Sequence, residues 1–267
     1  MTHRDSPPPT NHPDQPRDDG GPALDPARLR CRENLARVRE EIAEACRRGG
    51  RSIEGVRLVG VTKYVPVAWA AILRDAGCPD LGESRPQAIW ERAPLLASFP
   101  DAPPARWHLI GRLQRNKVRR TLPLVTLIHS LDSLRLLDEL SAEAGLRGQH
   151  CEALVEVNLD GDPGRAGADP EEVARLVDAA AGGPVVIRGL MGMASAPEPG
   201  GDDGTARRQF ASLRQLRDRI AADHPGLVEL SMGMSGDFVA GILEGATIVR
   251  IGSSLWEGLS GGEAATG

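Results

Sequence analysis

From residue 56 onward, short apolar runs rich in β-branched residues alternate with stretches whose apolar positions recur every three or four residues. The runs fall at 56–62, 79–82, 106–110, 125–129, 153–158, 185–190, 228–231 and 247–251, each of strand length. The intervening stretches carry helix-start signals. Asp132-Ser133 precede Leu134, Leu137 and Leu140, and Asp169-Pro170 precede Val173, Leu176, Val177 and Ala180. Thr205 or a neighbour opens the turn bearing Phe210, Leu213, Leu216 and Ile220. Strands alternating with helices predict βαβ units and a parallel sheet, and eight of them in about 200 residues predict a single (β/α)8 TIM barrel. A doubly wound open sheet is the alternative. Against it, no G-x-G-x-x-G follows the first strand, and eight strands close a barrel without remainder.

One more helix is expected ahead of the first strand. Asp25-Pro26 form a start signal, Leu35, Val38, Ile42 and Cys46 follow at helical spacing, and Gly49-Gly50 end it. Residues 1–24, rich in Pro, Asp and Gly, read as a disordered N-terminal tail; 25–258 read as the barrel and 259–267 as a flexible C-terminal tail. Aromatics make up only 3% of the chain, so its core is expected to be Leu, Val, Ile and Ala. A net charge of -5 argues against nucleic-acid binding. No run has the length of a membrane span, and no signal-peptide core is present at the N-terminus. The four cysteines lack metal-ligand spacing and read as free thiols. A cytoplasmic protein follows as the expectation, and a lone barrel is expected to be a monomer.

In a barrel of this kind chemistry belongs at the C-terminal ends of the strands. Polar and glycine-rich residues cluster there. Only two of the 32 basic residues are lysines, Lys63 and Lys117, and Lys63 closes the first strand candidate. Arginine cannot replace lysine in forming an imine with a carbonyl, because its guanidinium stays protonated. The plainer reading is an arginine-biased chain in which two lysines happen to remain. After strands 7 and 8 come Ser231-Met232-Gly233-Met234-Ser235-Gly236-Asp237 and Arg250-Ile251-Gly252-Ser253-Ser254, in the two positions where barrels often bind phosphate. Gly233, Gly236 and Gly252 would let backbone approach an anion, the serines add hydroxyls, and 236–244 can begin a helix. Ordinary turns share this composition. A phosphate anchor combined with an imine-forming lysine describes pyridoxal 5'-phosphate (PLP), and Arg250 could face its ring nitrogen. A surface ion pair is the other reading of Arg250.

Several blocks, in order, resemble the pyridoxal-phosphate homeostasis proteins (the YggS/PROSC family) from about residue 30 to 258. They are Leu58-Val59-Gly60-Val61-Thr62-Lys63, Leu81-Gly82-Glu83-Ser84-Arg85-Pro86-Gln87 and Trp107-His108-Leu109-Ile110-Gly111-Arg112-Leu113-Gln114-Arg115-Asn116-Lys117. Further along lie Ile128-His129-Ser130-Leu131-Asp132-Ser133, Gly189-Leu190-Met191, the Ser231–Asp237 block and Val249-Arg250-Ile251-Gly252-Ser253. The resemblance implies a barrel like the N-terminal domain of alanine racemase (PLP fold type III), with PLP on Lys63 as a Schiff base. Ser235, Gly236, Gly252 and Ser253 would hold the phosphate, and Arg250 would lie near the ring nitrogen. It further implies a carrier without turnover that stores, buffers or delivers the cofactor, with apo PLP-dependent enzymes as partners. Two departures stand out: Ser84 replaces the family's usual Asn after strand 2, and Ser253 replaces a Thr.

Other residues stay open between roles. Asn158 and Met193, at the ends of strands 5 and 6, are candidate cofactor neighbours; Met193 and the other loop methionines serve equally as packing. His108 and His129 could touch the cofactor or bond backbone carbonyls. Arg112, Arg115, Lys117, Arg119 and Arg120 form a solvated face or a secondary anion site; without interleaved aromatics a nucleic-acid patch is disfavoured. Asp237 reads as a helix-start residue. A racemase is the alternative to a carrier. Two-base racemisation needs a second proton-transfer group; the resemblance to alanine racemase implies a tyrosine from an additional domain for it, whereas the only tyrosine here is Tyr64 and no second domain is expected after 258. If strand alternation persists past the first strand, Tyr64 points away from Lys63.

Overall fold

A computed structural model describes residues 26–99, 103–162, 164–195 and 204–259. The tails expected at 1–24 and 259–267 lie outside these residues, apart from Leu259. Eight parallel strands close into a barrel in chain order: β1 (Arg57–Val61), β2 (Asp80–Glu83), β3 (Arg106–Leu109), β4 (Leu127–Leu131), β5 (Cys151–Val157), β6 (Val185–Gly192), β7 (Glu229–Ser231) and β8 (Ile248–Ile251). Pairing of β1 with β8, Gly60 opposite Ile251, completes the ring. Every predicted run therefore became a strand. Boundaries differ by at most two residues: β5 begins two earlier than expected, β6 ends two later, and β4 is shifted two residues along the chain. A 3-10 turn at Leu122–Leu124 occupies the approach, and His108 and Leu109 of β3 pair with Leu127 and Ile128.

Nine helices surround the barrel among the described residues: α1 (Pro26–Arg48), α2 (Val67–Asp75), α3 (Pro86–Ala97), α4 (Val118–Thr121), α5 (Leu134–Leu146), α6 (Pro170–Ala180), α7 (Gly204–Ala221), α8 (Phe238–Leu243) and α9 (Ser253–Trp256). The start signals fall where expected, Ser133 and Asp169 at the N-cap positions of α5 and α6 and Pro170 in the first turn of α6, although neither cap side chain hydrogen-bonds its helix. None of these helices is long and apolar enough to cross a membrane.

The helix after β8 is only four residues long, and α1 covers that side of the barrel instead. Its buried stripe of Cys31, Leu35, Val38, Ile42, Ala45 and Cys46 packs against α2, α8 and α9. Asn34 locks the arrangement, because its Nδ2 donates to the carbonyls of Leu255 (3.1 Å) and Glu257 (2.9 Å). The four free cysteines are buried, with the Cys78 thiol pushed up to about 12, mainly by burial, so they serve as packing groups.

The apolar core lies chiefly between strands and helices, and it is the expected mix of aliphatic residues. A smaller apolar cluster of Val59, Leu127, Leu154, Met191 and Ile248 packs separately, with Met193 against it. Buried polar residues accompany this second cluster, which composition did not foretell.

Replacing Asn34 with Ala should leave two carbonyls of the α9 region without their partner. Chemical denaturation should then show a loss of about 1–3 kcal/mol, whereas unchanged stability would show that α1 is held by its apolar face alone.

Candidate functional site

Lys63 stands two residues beyond the end of β1, in the turn Thr62–Val65, where the Val65 N–H donates to the Thr62 carbonyl at 3.3 Å. Tyr64 has φ +70°, a left-handed conformation unusual for a side chain of its size. Strand alternation therefore does not persist to Tyr64. Instead of pointing away, its ring centroid lies 5.7 Å from the Lys63 Nζ. Both side chains are exposed, Tyr64 to 82%.

The backbone beneath the amine is tightly held. Arg92, on α3, donates to the carbonyls of Thr62 and Val65, both at 2.8 Å, and so grips the turn on either side of Lys63. It also donates to Glu83 Oε1 (2.9 Å), which accepts from Thr62 Oγ1 at 2.6 Å. Trp256 Nε1 donates to the Val61 carbonyl at 2.8 Å. Burial pushes the Glu83 carboxyl upward, opposed by the Thr62 hydrogen bond and the charges of Arg92 and Lys63. Sequence reading found Lys63 but missed this clamp; nothing in the spacing of Arg92 sets it apart from other helical arginines.

Adjacent to β1, the loops after β7 and β8 are tied together by the Gly252 N–H, which donates to Ser235 Oγ at 3.1 Å. A Cβ on Gly236 would meet nothing within 4 Å, so its backbone is open, whereas one on Gly252 would touch Val61 at 3.5 Å. Gly233 also has a packing role. It has φ +97°, and a Cβ there would lie 2.7 Å from the Phe238 Cα, so glycine is needed for α8 to pack on the loop. That helix starts at Phe238, two residues later than expected, while Asp237 Oδ1 accepts the Met234 N–H at 2.5 Å. Ser253 is exposed and Ser254 half-buried in the first turn of α9.

Arg250 is 3% exposed, which removes the surface ion-pair reading. Its Nη1 donates to Ser231 O (2.7 Å) and Ser231 Oγ (2.6 Å), and its Nη2 donates to the Gly192 carbonyl (3.1 Å). Burial lowers its pKa to about 10, opposed by the charges of Asp237 and Glu156. The two histidines bond each other rather than backbone carbonyls: His108 Nδ1 and His129 Nε2 are 2.9 Å apart. His129 Nδ1 reaches Ser231 Oγ at 2.9 Å, and His108 Nε2 reaches Asp80 Oδ1 at 2.9 Å. Since β4 and β7 are not neighbours in the sheet, the His129–Ser231 contact crosses the barrel interior. Arg106 grips Asp80 through both oxygens, with Nε to Oδ1 at 2.8 Å and Nη2 to Oδ2.

The alanine racemase N-terminal domain model matches residues 34–259. The chain is 37% identical over 225 residues to the pyridoxal phosphate homeostasis protein of Aquifex aeolicus, covering 84% of this chain and 96% of that protein. It is 35% identical over 236 residues to the protein of the same name from Mycobacterium leprae, covering 83% and 90%. The chain belongs to the pyridoxal phosphate homeostasis protein family. Among solved structures, PipY of Synechococcus elongatus PCC7942 with PLP bound aligns with a TM-score of 0.72 and 32% identity, over 84% of this chain and 99% of that one. Alanine racemase of Clostridium difficile 630 aligns with a TM-score of 0.67, over 85% of this chain and 56% of that one, at 14% identity, a likeness of fold alone.

Within this family member, the remaining site candidates differ in how free they are. Ser84 is half-buried, and its carbonyl fills the space a Cβ on Gly111 would need, at 2.3 Å. Asn158 is committed to its own loop: Nδ2 donates to Asp162 O (2.8 Å) and Oδ1 accepts from Gly161 N–H (3.1 Å). Its amide thereby shapes the loop after β5. The basic run divides between two settings. Arg120 lies over Trp90, 4.3 Å from the ring centroid, while Arg112 and Arg115 join Arg135 and Arg175 around a cleft of about 700 Å³.

Glu156, the interior residue of β5 above Leu154, escaped attention as a titrating group. It is buried, with no hydrogen bond to its carboxyl among the described residues, and it is paired in register with Met191. Burial and then the Asp132 charge raise its pKa to about 7, against lowering by Arg250, Arg112 and Arg165. Between about pH 4.5 and 7 the folded chain therefore keeps a proton that the unfolded chain has released, and stability from this group falls as pH rises through that window. Glu156→Gln should stabilise the ligand-free protein at pH 8 by up to about 3 kcal/mol, with the gain vanishing near pH 4.5. Urea unfolding of both proteins at the two pH values checks this; a gain independent of pH would contradict it.

Proposed function

We propose that this chain binds PLP covalently through Lys63 and holds it for intracellular supply to apo PLP-dependent enzymes, as a cytoplasmic, monomeric carrier without turnover of its own. The observation that carries the reading is the Lys63 amine, exposed at the barrel mouth on a turn clamped by Arg92 and beside the joined β7 and β8 loops. When bound, PLP supplies an aldehyde that condenses with a primary amine, and a phosphate that needs donors. The residues present fit both demands. Open backbone at Gly236, with the Ser235 and Ser253 hydroxyls around Gly252, makes an anion cup. Arg250 has five N–H donors, so its contacts to Ser231 and Gly192 hold it in place without exhausting it. A guanidinium facing the ring nitrogen does not readily give up a proton, which leaves the ring a poorer electron sink than one facing a carboxylate. Ser84, Met193 and the loop shaped by Asn158 complete the surroundings. The names of the relatives and the PLP-bound PipY structure support this reading.

A racemase has no comparable support. Two-base proton transfer needs groups on opposite faces of the substrate carbon, whereas the sole tyrosine lies beside Lys63 on the same turn.

Purified protein mixed with PLP should develop the long-wavelength absorption band of the lysine-bound cofactor, and Lys63→Ala should abolish it; a mutant that kept the band would remove the reading. Incubation of the PLP-loaded protein with D- or L-amino acids should yield no sustained racemisation by chiral chromatography, and robust turnover would favour the enzyme.

A further inference from the structure

The hydrogen-bonded path through the barrel runs from Arg106 and Asp80, at the start of β3 and β2, through His108, His129 and Ser231 to Arg250 near the end of β8. Asp80, both histidines, Ser231 and Arg250 are all buried, and Arg106 leads to the surface. The chemistry of the two ends fixes the direction of every bond between them. Arginine only donates, so Ser231 Oγ accepts from Arg250, and the acceptor in reach of its own hydrogen is His129 Nδ1 at 2.9 Å. A carboxylate only accepts, so His108 Nε2 carries a hydrogen toward Asp80. The middle bond then closes in one way for neutral rings: His129 Nε2–H donates to His108 Nδ1. A charged histidine would turn the bond to Ser231 around and leave the serine hydrogen buried without an acceptor, a costly state in a low-dielectric interior.

We propose that this chain is a positioning relay for Arg250, extending from the opposite end of the barrel and fixing how the guanidinium meets the ring nitrogen of bound PLP. The proposal rests on the reading of Lys63 given above. Asp80, His108, His129 and Ser231 are positioning residues that act only through Arg250. Burial favours both imidazoles in the neutral form, and the Arg250 and Arg57 charges weigh further against protonating His129. On the Arg250 side, Asp237 and Glu156 provide the opposing charge. Asp80 keeps its carboxylate because the bonds from His108 and Arg106 outweigh its burial, lowering it to about 2.

The test combines two readouts. Nitrogen-15 NMR of histidine-labelled, ligand-free protein at pH 7.5 should show both rings neutral with the hydrogen on Nε2; a cationic ring, or a hydrogen on Nδ1, would overturn the relay. PLP titration followed by absorption should then give a roughly 3- to 30-fold weaker apparent affinity and a shifted band maximum for Ser231→Ala. Asp80→Asn cannot accept from Arg106 and His108 through both of its side-chain atoms, so it should alter the histidine nitrogen signals and shift the same band from the far end of the barrel. Arg188→Gln, which breaks only an exposed pair with Glu152, serves as the control and should leave both readouts unchanged. A band present in the parent and identical in the Ser231 and Asp80 variants would overturn this proposal alone. No band in the parent would overturn the Lys63 reading, and the relay's role with it.

Discussion

Polar groups enclosed in a parallel barrel have to satisfy one another. Here one path does this for five of them, an acceptor-only carboxylate and a donor-only guanidinium bracketing two histidines and a serine, while the buried Glu156 carboxyl stays outside it. Everything at the mouth is built above it. Arg250 is buried and immobilised, Ser231 ends β7 at the foot of the loop carrying Ser235, and that serine is tied to Gly252 beyond β8. Breaking one link would expose the others to the cost of an unpaired buried group, which exceeds what a solvent-exposed hydrogen bond would forfeit.

The amine follows a complementary rule. Its backbone is fixed by Arg92, Thr62, Glu83 and Trp256, yet its side chain lies open. The nucleophilic role proposed for it needs both properties: positional precision from the scaffold and access for an incoming carbonyl. The β1–β8 pairing that closes the barrel also makes the lysine turn and the glycine-serine loops neighbours. Fold closure and site assembly are thus the same event.

Much of this was legible in the sequence. Eight strands could be counted because parallel barrel strands are covered by helices outside and side chains inside, so they stand out as unbroken apolar runs. Lys63 was conspicuous through chemistry that arginine cannot supply, and the glycine-serine loops through their position. The rest depended on register across the barrel. His108 and His129 were visible at strand ends, but their partnership is set by which strand faces which. Asp80 looked like a residue entering a strand, and Arg92 like an ordinary charge on α3; each acquires meaning only from a contact 26 or 9 positions away, with Arg106 and Glu83 respectively. Tyr64 was misplaced because β1 ends at Val61, and the turn that follows imposes a left-handed backbone.

The most direct test of the central claim is to incubate the protein with PLP, reduce with borohydride and locate the modified residue by peptide mass spectrometry. The account predicts a single pyridoxyl group, on the peptide containing Lys63. Modification confined to Lys117, or none at all, would contradict it.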